Sequence, residues 1–260
     1  MTNSVFSNRC RFAAKVAGVH LGINVVVAIL VAAVVLLLWY PYPYRTLMGG
    51  LHLLLLIVVV DMVCGPVLSF ILANPKKSKK ELTLDLSLVV LVQLAALVYG
   101  LHAVAVARPV MAVFEVDRFT VVSAAEIDST KLAQAPASLR SLSWAGVRRA
   151  GIRQPVDGDE SMRSLEMSLQ GVEPSARPDW WLDDHAIVAA QVRKRMQPLS
   201  VLLQHYPDNK PLAAAIAQSG LPQNALYFLP FTSQKDKGWV VLLDEQTQFK
   251  AFAQVDGFIQ

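Results

Sequence analysis

Three long apolar blocks dominate the first part of the chain, at roughly residues 16–39, 51–73 and 84–106, each with few charges and separated by short polar stretches. A bilayer crossing takes about 20 apolar residues, so each block predicts a transmembrane helix. Beyond Pro109 the pattern changes. Residues 110–116 and 119–122 are β-branched runs across the short turn Asp117-Arg118, which predicts a hairpin. A stretch rich in Ser, Ala and Arg to about Gly158 has little periodicity, and residues 160–169 predict a short helix. From Asp183, a predicted N-cap, to about Tyr206, Val188, Val192, Met196, Leu199 and Leu203 recur at helical spacing, with Pro198 as a candidate interruption. A further helix is predicted at 211–219, stopped by Gly220 and Pro222, and strands at 225–229, 239–243 and 249–255. The expected fold class is an integral membrane protein with three N-terminal transmembrane α-helices followed by a small α+β domain. The expected boundaries are a tail at 1–15, a three-span region at 16–106 and a soluble domain at 107–260.

Composition agrees with that division. Of the 260 residues 54% are hydrophobic and only 17% charged, against about a quarter charged in a soluble domain. Mean hydropathy is +0.41. Residues 1–106 hold eight Lys/Arg and three acids, whereas residues 107–260 hold 16 bases and 17 acids. The basic isoelectric point therefore belongs to the membrane region, and no folded basic surface advertises nucleic-acid binding. Two cysteines, Cys10 and Cys64, exclude a disulfide-rich scaffold. The first block is too long for the apolar region of a cleaved signal peptide, and no small-residue cleavage site follows it, so an uncleaved anchor is expected.

Orientation follows from Lys and Arg. The N-terminal tail carries Arg9, Arg11 and Lys15, and the loop after the second block carries Lys76, Lys77, Lys79 and Lys80. The loop after the first block holds only Arg45. Seven bases against one predict a cytoplasmic N-terminus and Lys loop. Three spans then put residues 107–260 outside the cytoplasm, in the periplasm of a Gram-negative inner membrane. Trp39, Tyr40, Tyr42 and Tyr44 are expected as aromatic anchors at the outer interface, and the four Lys as anchors at the inner one.

Candidate chemistry is sparse. Asp61 lies near the middle of the second span, where an ionised carboxylate is costly. Asp61, Gly65 and Ser69 fall on one helix face, and Pro66 removes the backbone bond to Met62. That face predicts either packing against the other two spans or docking of a partner's transmembrane helix. Asp85 can reach a Lys at the start of the third span, and Gln93 can bond across helices. His20, His52 and His102 lack the supporting ligands that a haem or metal would need. Trp180-Trp181 is a candidate docking surface or core anchor. His185 beside Asp183 and Asp184 reads as a solvated helix start, and no hydrolase, P-loop, zinc-protease or dinucleotide motif occurs. No catalysis and no cofactor are expected.

Several strings then fall in a familiar order: His20-Leu-Gly22, Trp39-Tyr-Pro41, Gly49-Gly50, Asp61 with Cys64-Gly-Pro66, and Asn74-Pro-Lys-Lys77. They continue with Gln93 through Gly100, Ala107-Arg-Pro-Val110 and Phe114 through Phe119. Over about residues 10–127 the chain resembles the type IV pilin accessory proteins of the TfpX/TfpZ (FimB-like) family. That resemblance implies an inner-membrane accessory that affects assembly and display of its cognate type IV pilin, with membrane lipids around it and no enzymatic activity. The alternatives are a membrane-anchored pilin-modifying enzyme, which needs a polar pocket with paired acids, and a periplasmic sensor, for which the cytoplasmic parts are short. The topology is directly measurable. Alkaline phosphatase fused after Gln260 is expected to be active and a cytoplasmic fluorescent reporter there dark; the reverse pattern overturns the orientation.

Overall fold

The computed structural model describes residues 2–259. The chain divides into two compact units, the first made of residues 1–39 and 50–106 and the second of residues 40–49 and 107–260.

The first unit is helical. Helix α1 spans Thr2–Ala33 and continues as a π-helical turn, Val34–Trp39. The apolar segment Ser7–Trp39 is 33 residues long, about 50 Å of helix, so it outreaches a hydrocarbon core of about 30 Å. In the loop of the second unit, α2 is the short helix Tyr44–Leu47. The second and third spans are α3, Gly50–Leu72, and α4, Lys79–Val106. All three long helices are apolar enough to cross a membrane. Helix α3 runs through Pro66 without interruption. Its connection to α4 is closed by a reciprocal cap: the Ser78 hydroxyl accepts from the Glu81 N–H at 3.3 Å, and the Glu81 carboxylate accepts from the Ser78 N–H at 2.9 Å. Lys77 donates to Asp85 at 2.5 Å and to the Leu72 carbonyl at 3.1 Å, which satisfies the end of α3 as Asp85's position at the head of α4 suggested.

The second unit is built on one mixed sheet. Strands β1 (Pro109–Glu115) and β2 (Arg118–Ser123) form the expected antiparallel hairpin. Between them Val116 takes φ 56°, a conformation a β-branched residue rarely adopts. Strand β3 (Arg148–Ile152) runs parallel to β1 and lies inside the stretch without periodicity. Its Arg148 and Arg149 and its Gly151 hid it, because strand propensity favours β-branched and aromatic residues. Helix α5 (Gly158–Leu169) is capped by the Asp157 carboxylate on the Glu160 N–H. Strand β4 (Trp181–Leu182) is followed by α6 (His185–Arg193), capped by Asp184 rather than Asp183. At the expected interruption, β5 (Gln197–Pro198) precedes α7 (Leu199–His205), and α8 (Lys210–Ser219) ends at Gly220 with φ 68°. Strands β6 (Tyr227–Thr232), β7 (Val240–Leu243) and β8 (Phe249–Ala253) close the sheet, whose order is β4-β3-β1-β2-β6-β7-β8, with β5 also paired to β6. Along β6, Tyr227 and Phe228 pair with β5 while Phe231 and Thr232 pair with β2. Pro230, which has no N–H to give a ladder, lies at that changeover.

Both faces of the β6–β8 region are covered. On one face Leu199, Leu202, Leu212 and Ala215 from α7 and α8 pack against Phe228, Val240, Leu242, Ala251 and Ala253. The alternate residues need a second cover, because β7 is buried at all four positions. The loop at 40–49 supplies it. The Tyr44 ring lies 6.0 Å from Phe231 and 6.4 Å from Phe252, and these join Phe249 and Phe119 in a cluster of edge-on and tilted rings. Tyr42 lies edge-on to Trp239 at 6.1 Å and donates to the Phe252 carbonyl, while the Ser233 hydroxyl donates to the Leu47 carbonyl at 2.9 Å. Burial holds the Tyr44 phenol well above its ordinary pKa, partly offset by Arg149.

Two placements differ from the expected ones: Tyr40 and Tyr44, expected as interface anchors, are buried, and residues 40–49, expected between the spans at about 16–39 and 51–73, group with the second unit. Tyr44→Ala is expected to remove about 3–5 kcal/mol from the second unit, the usual cost of emptying an aromatic site. Hydrogen exchange on the detergent-solubilised chain should show β6 and β8 losing protection together; unchanged protection there would mean the loop is not part of that core.

Candidate functional site

The site is a cleft in the membrane unit. Helix α3 packs against both α1 and α4, whereas α1 and α4 pack on α3 rather than on each other. What remains between them is an open, mostly apolar groove of about 520 Å³. Its walls come from α1 (Val19, Ile23, Val27) and α4 (Val90, Leu94, Leu97), and its floor from α3. Polar side chains reach it at a few points only: Lys15, His20, Asn24, Asp61, Ser69 and Gln93.

Hydrogen bonds explain how the three helices hold together without a hydrophobic effect between them. The Asn24 amide donates to the Asp61 backbone carbonyl at 2.7 Å, and the Gln93 amide donates to the same carbonyl at 3.3 Å. One turn towards the C-terminus Gly65 is buried, and a Cβ there would overlap the Gln93 amide. A further turn along, Ser69 is fully buried and its hydroxyl lies 2.5 Å from His20 Nδ1. The face shared by Asp61, Gly65 and Ser69 is thus divided. Gly65 and Ser69 face the chain's own helices, and His20 finds a hydroxyl rather than a second histidine. Pro66 does not line the cleft. Asp61 lines it, and no group among the described residues hydrogen-bonds the Asp61 carboxyl. Gln93 Oε1 is buried and also without a partner among the described residues.

The other candidate positions lie in the second unit. Of the two readings of Trp180 and Trp181, docking surface or core anchor, their burial accords with the core anchor. Arg153 and Arg177 stack on the Trp180 ring at 4.8 and 4.6 Å, and Trp181 donates to the Ser175 carbonyl at 2.8 Å from within the β1–β3 core. Asp183 accepts from the Ser138 hydroxyl, and Asp184 accepts from the Ala186 and Ile187 N–H groups as a helix cap. Glu115 is the acid buried most deeply in this unit among the described residues. Burial pushes its carboxyl up, while the Thr120 hydroxyl at 2.6 Å and the Ser175 N–H at 3.1 Å satisfy it. Lys77 is tied to Asp85, and Lys79 and Lys80 open α4. Among the described residues no group of three His, Cys, Asp or Glu could hold a metal ion. Sequence reasoning missed Asn24, whose amide, the one amide side chain of the apolar block at 16–39, was the available signal.

The Gly65–Gln93 contact makes a specific prediction. Gly65→Ala pushes on the end of a flexible side chain, so it should displace the Gln93 amide and cost about 1 kcal/mol, the scale of one intramembrane hydrogen bond. Gln93→Ala should cost a similar amount, and the double substitution should cost no more than either one alone. Unfolding midpoints in mixed micelles measure this cycle; additive losses would mean that the two residues do not meet.

Comparison with known proteins places this architecture. Residues 8–49, which hold most of α1 and the loop folded into the second unit, match the family described as Fimbrial assembly protein FimB. Over 252 residues, 96% of this chain and 98% of the other, the sequence is 33% identical to the "Fimbrial assembly protein, serogroup I" of Dichelobacter nodosus. The serogroup E1 protein of the same organism is 32% identical over 252 residues. Its protein of serogroups C1 and C2 is 43% identical over 127 residues, 49% of this chain and 97% of the other. No solved structure matches. The family is described by assembly rather than by a catalysed reaction, and its role lies in the biogenesis of fimbriae. With near-complete coverage at this identity, the chain is a member of the FimB fimbrial assembly protein family.

Proposed function

We propose that this chain is a non-catalytic accessory of the bacterial inner membrane that binds its cognate type IV pilin before assembly and so acts as a chaperone for it. One observation carries the reading: the cleft between α1 and α4 is open along α3 and contains a carboxyl that no group among the described residues hydrogen-bonds. A pilin in the membrane offers one apolar helix, and a groove between two helices that rest on a third is shaped for such a guest. In hydrocarbon, Asp61 gains most from a guest that brings a hydrogen-bond donor or a cation to its depth. Gly65 and Ser69 contribute by holding the helices that form the cleft, and Pro66 lies on α3 outside its lining.

The proposed topology has the N-terminus and the Lys loop in the cytoplasm and the second unit in the periplasm, as the distribution of Lys and Arg predicts. Asp61→Asn keeps hydrogen-bonding capacity and is expected to be mild. Asp61→Leu is expected to leave protein abundance intact while lowering coupling to pilin about three- to thirtyfold, from a contact of about 0.6–2 kcal/mol. The measurement is in-membrane crosslinking yield to pilin, normalised to accessory abundance, together with surface pilus display. Wild-type values for Asp61→Leu overturn docking through the cleft, and loss of the protein itself assigns Asp61 to packing among its own spans.

A further inference from the structure

Helix α5 is mounted the opposite way round from an ordinary amphipathic surface helix. Its inner face is polar: the Ser164 hydroxyl accepts from Arg177, and Glu160 forms a two-pronged ion pair with Arg153 at 2.7 and 3.0 Å. That fork, together with the Val156 N–H, holds the Glu160 carboxyl down at about 2. Met167 also turns inward and accepts from Arg177, whereas the other large apolar residues face out. Met162, Leu165 and Leu169 are 60%, 54% and 81% exposed, and Val156, just ahead of the helix, is 84% exposed. At 100° per residue the three helical positions form a stripe about 60° wide. That is the narrow seam of a helix that packs on one other helix, because a surface helix seated on its own core buries a broader face.

We propose that this seam pairs antiparallel with the same helix of a second copy of the chain, making the protein a homodimer through its soluble unit. The charges select the occupant. One flank of the stripe carries Asp159, Arg163 and Glu166, and the other carries Ser161 and Ser168. In an antiparallel pair centred near Leu165, like flanks meet, and Arg163 of each copy comes opposite Glu166 of the other. A two-fold contact needs this self-complementarity. A membrane surface fits poorly, since interfacial helices carry Lys and Arg along the polar face and α5 has three acids and one base. A helix of 12 residues gives a contact only about 18 Å long, short of a standard interface by itself. Confinement of both copies to one membrane raises their effective concentration and makes a small contact sufficient.

The test uses the full chain in membranes of cells lacking pilin, with Cys10→Ser and Cys64→Ser as background. Leu165→Cys lies at the dyad and is expected to form a disulfide-linked dimer on mild oxidation, several-fold above Val201→Cys on α7. Arg163→Glu should lower that yield at least threefold, and Arg163→Glu with Glu166→Arg should restore it. If Leu165→Cys crosslinks no better than Val201→Cys, or if the charge exchange fails to restore the yield, self-pairing is wrong. Crosslinking of Leu165→Cys that appears only when pilin is present would assign the stripe to pilin instead. Because pilin is absent from the main arm, failure here leaves the cleft reading untouched.

Discussion

Helices in a bilayer gain nothing from hiding apolar side chains from one another, since lipid tails already solvate them. Everything in the membrane unit follows from that constraint acting on α3. This helix has a carbonyl that two amides reach, a glycine that admits a glutamine and a hydroxyl matched to a histidine. Those contacts place α1 on one side of α3 and α4 on another. Among the described residues no such hydrogen bond joins α1 to α4, whose facing residues are mostly Val, Ile and Leu, so the space between them stays open to lipid or to a guest helix. The cleft is the consequence of polar contacts being concentrated on one helix.

The second unit solves a different problem. A sheet with β7 buried on both faces needs two covers, and the chain after α6 supplies only one of them, α7 and α8. The other comes from ten residues between the first and second spans, with Tyr44, Leu47 and Met48 buried and Tyr42 bonded to β8. Folding of the soluble sheet is thereby tied to two spans as well as to the third. The family match at residues 8–49 covers this same loop and the helix that delivers it.

What the sequence disclosed depended on how local the signal was. The three spans, the β1–β2 hairpin, α5, α8 and the β6–β8 region were legible from periodicity alone, and Pro198 broke the α6–α7 run as its chemistry requires. Asp61, Gly65, Ser69 and Gln93 stood out because polar or small residues are rare in such segments. Strand β3 was hidden by its arginines: Arg149 stacks on Phe249 at 4.2 Å and Arg148 bonds loop carbonyls, uses of a cation that no local pattern reveals. Tyr40 and Tyr44 were misplaced for a related reason. An aromatic cluster after a span has two physical uses, at a lipid interface or under a sheet, and only the unbroken run Val240–Leu243 hinted that a sheet more than 190 residues away lacked a cover.

The energetics suit an assembly accessory better than a permanent scaffold. A contact made by one carboxyl in hydrocarbon is worth about 0.6–2 kcal/mol, and apolar side chains of a guest exchange lipid contacts for protein contacts at little net gain. A guest held this way dissociates readily. That is a requirement for any factor whose client must move on into a fibre, because tight binding before assembly would compete with assembly itself. On the proposed reading, the same weakness would give the carboxyl a use that an apolar residue lacks. In a groove lined mostly by Val, Ile and Leu, a carboxyl with no hydrogen-bond partner among the described residues would discriminate between helices that carry a donor at that depth and those that do not, while adding little affinity.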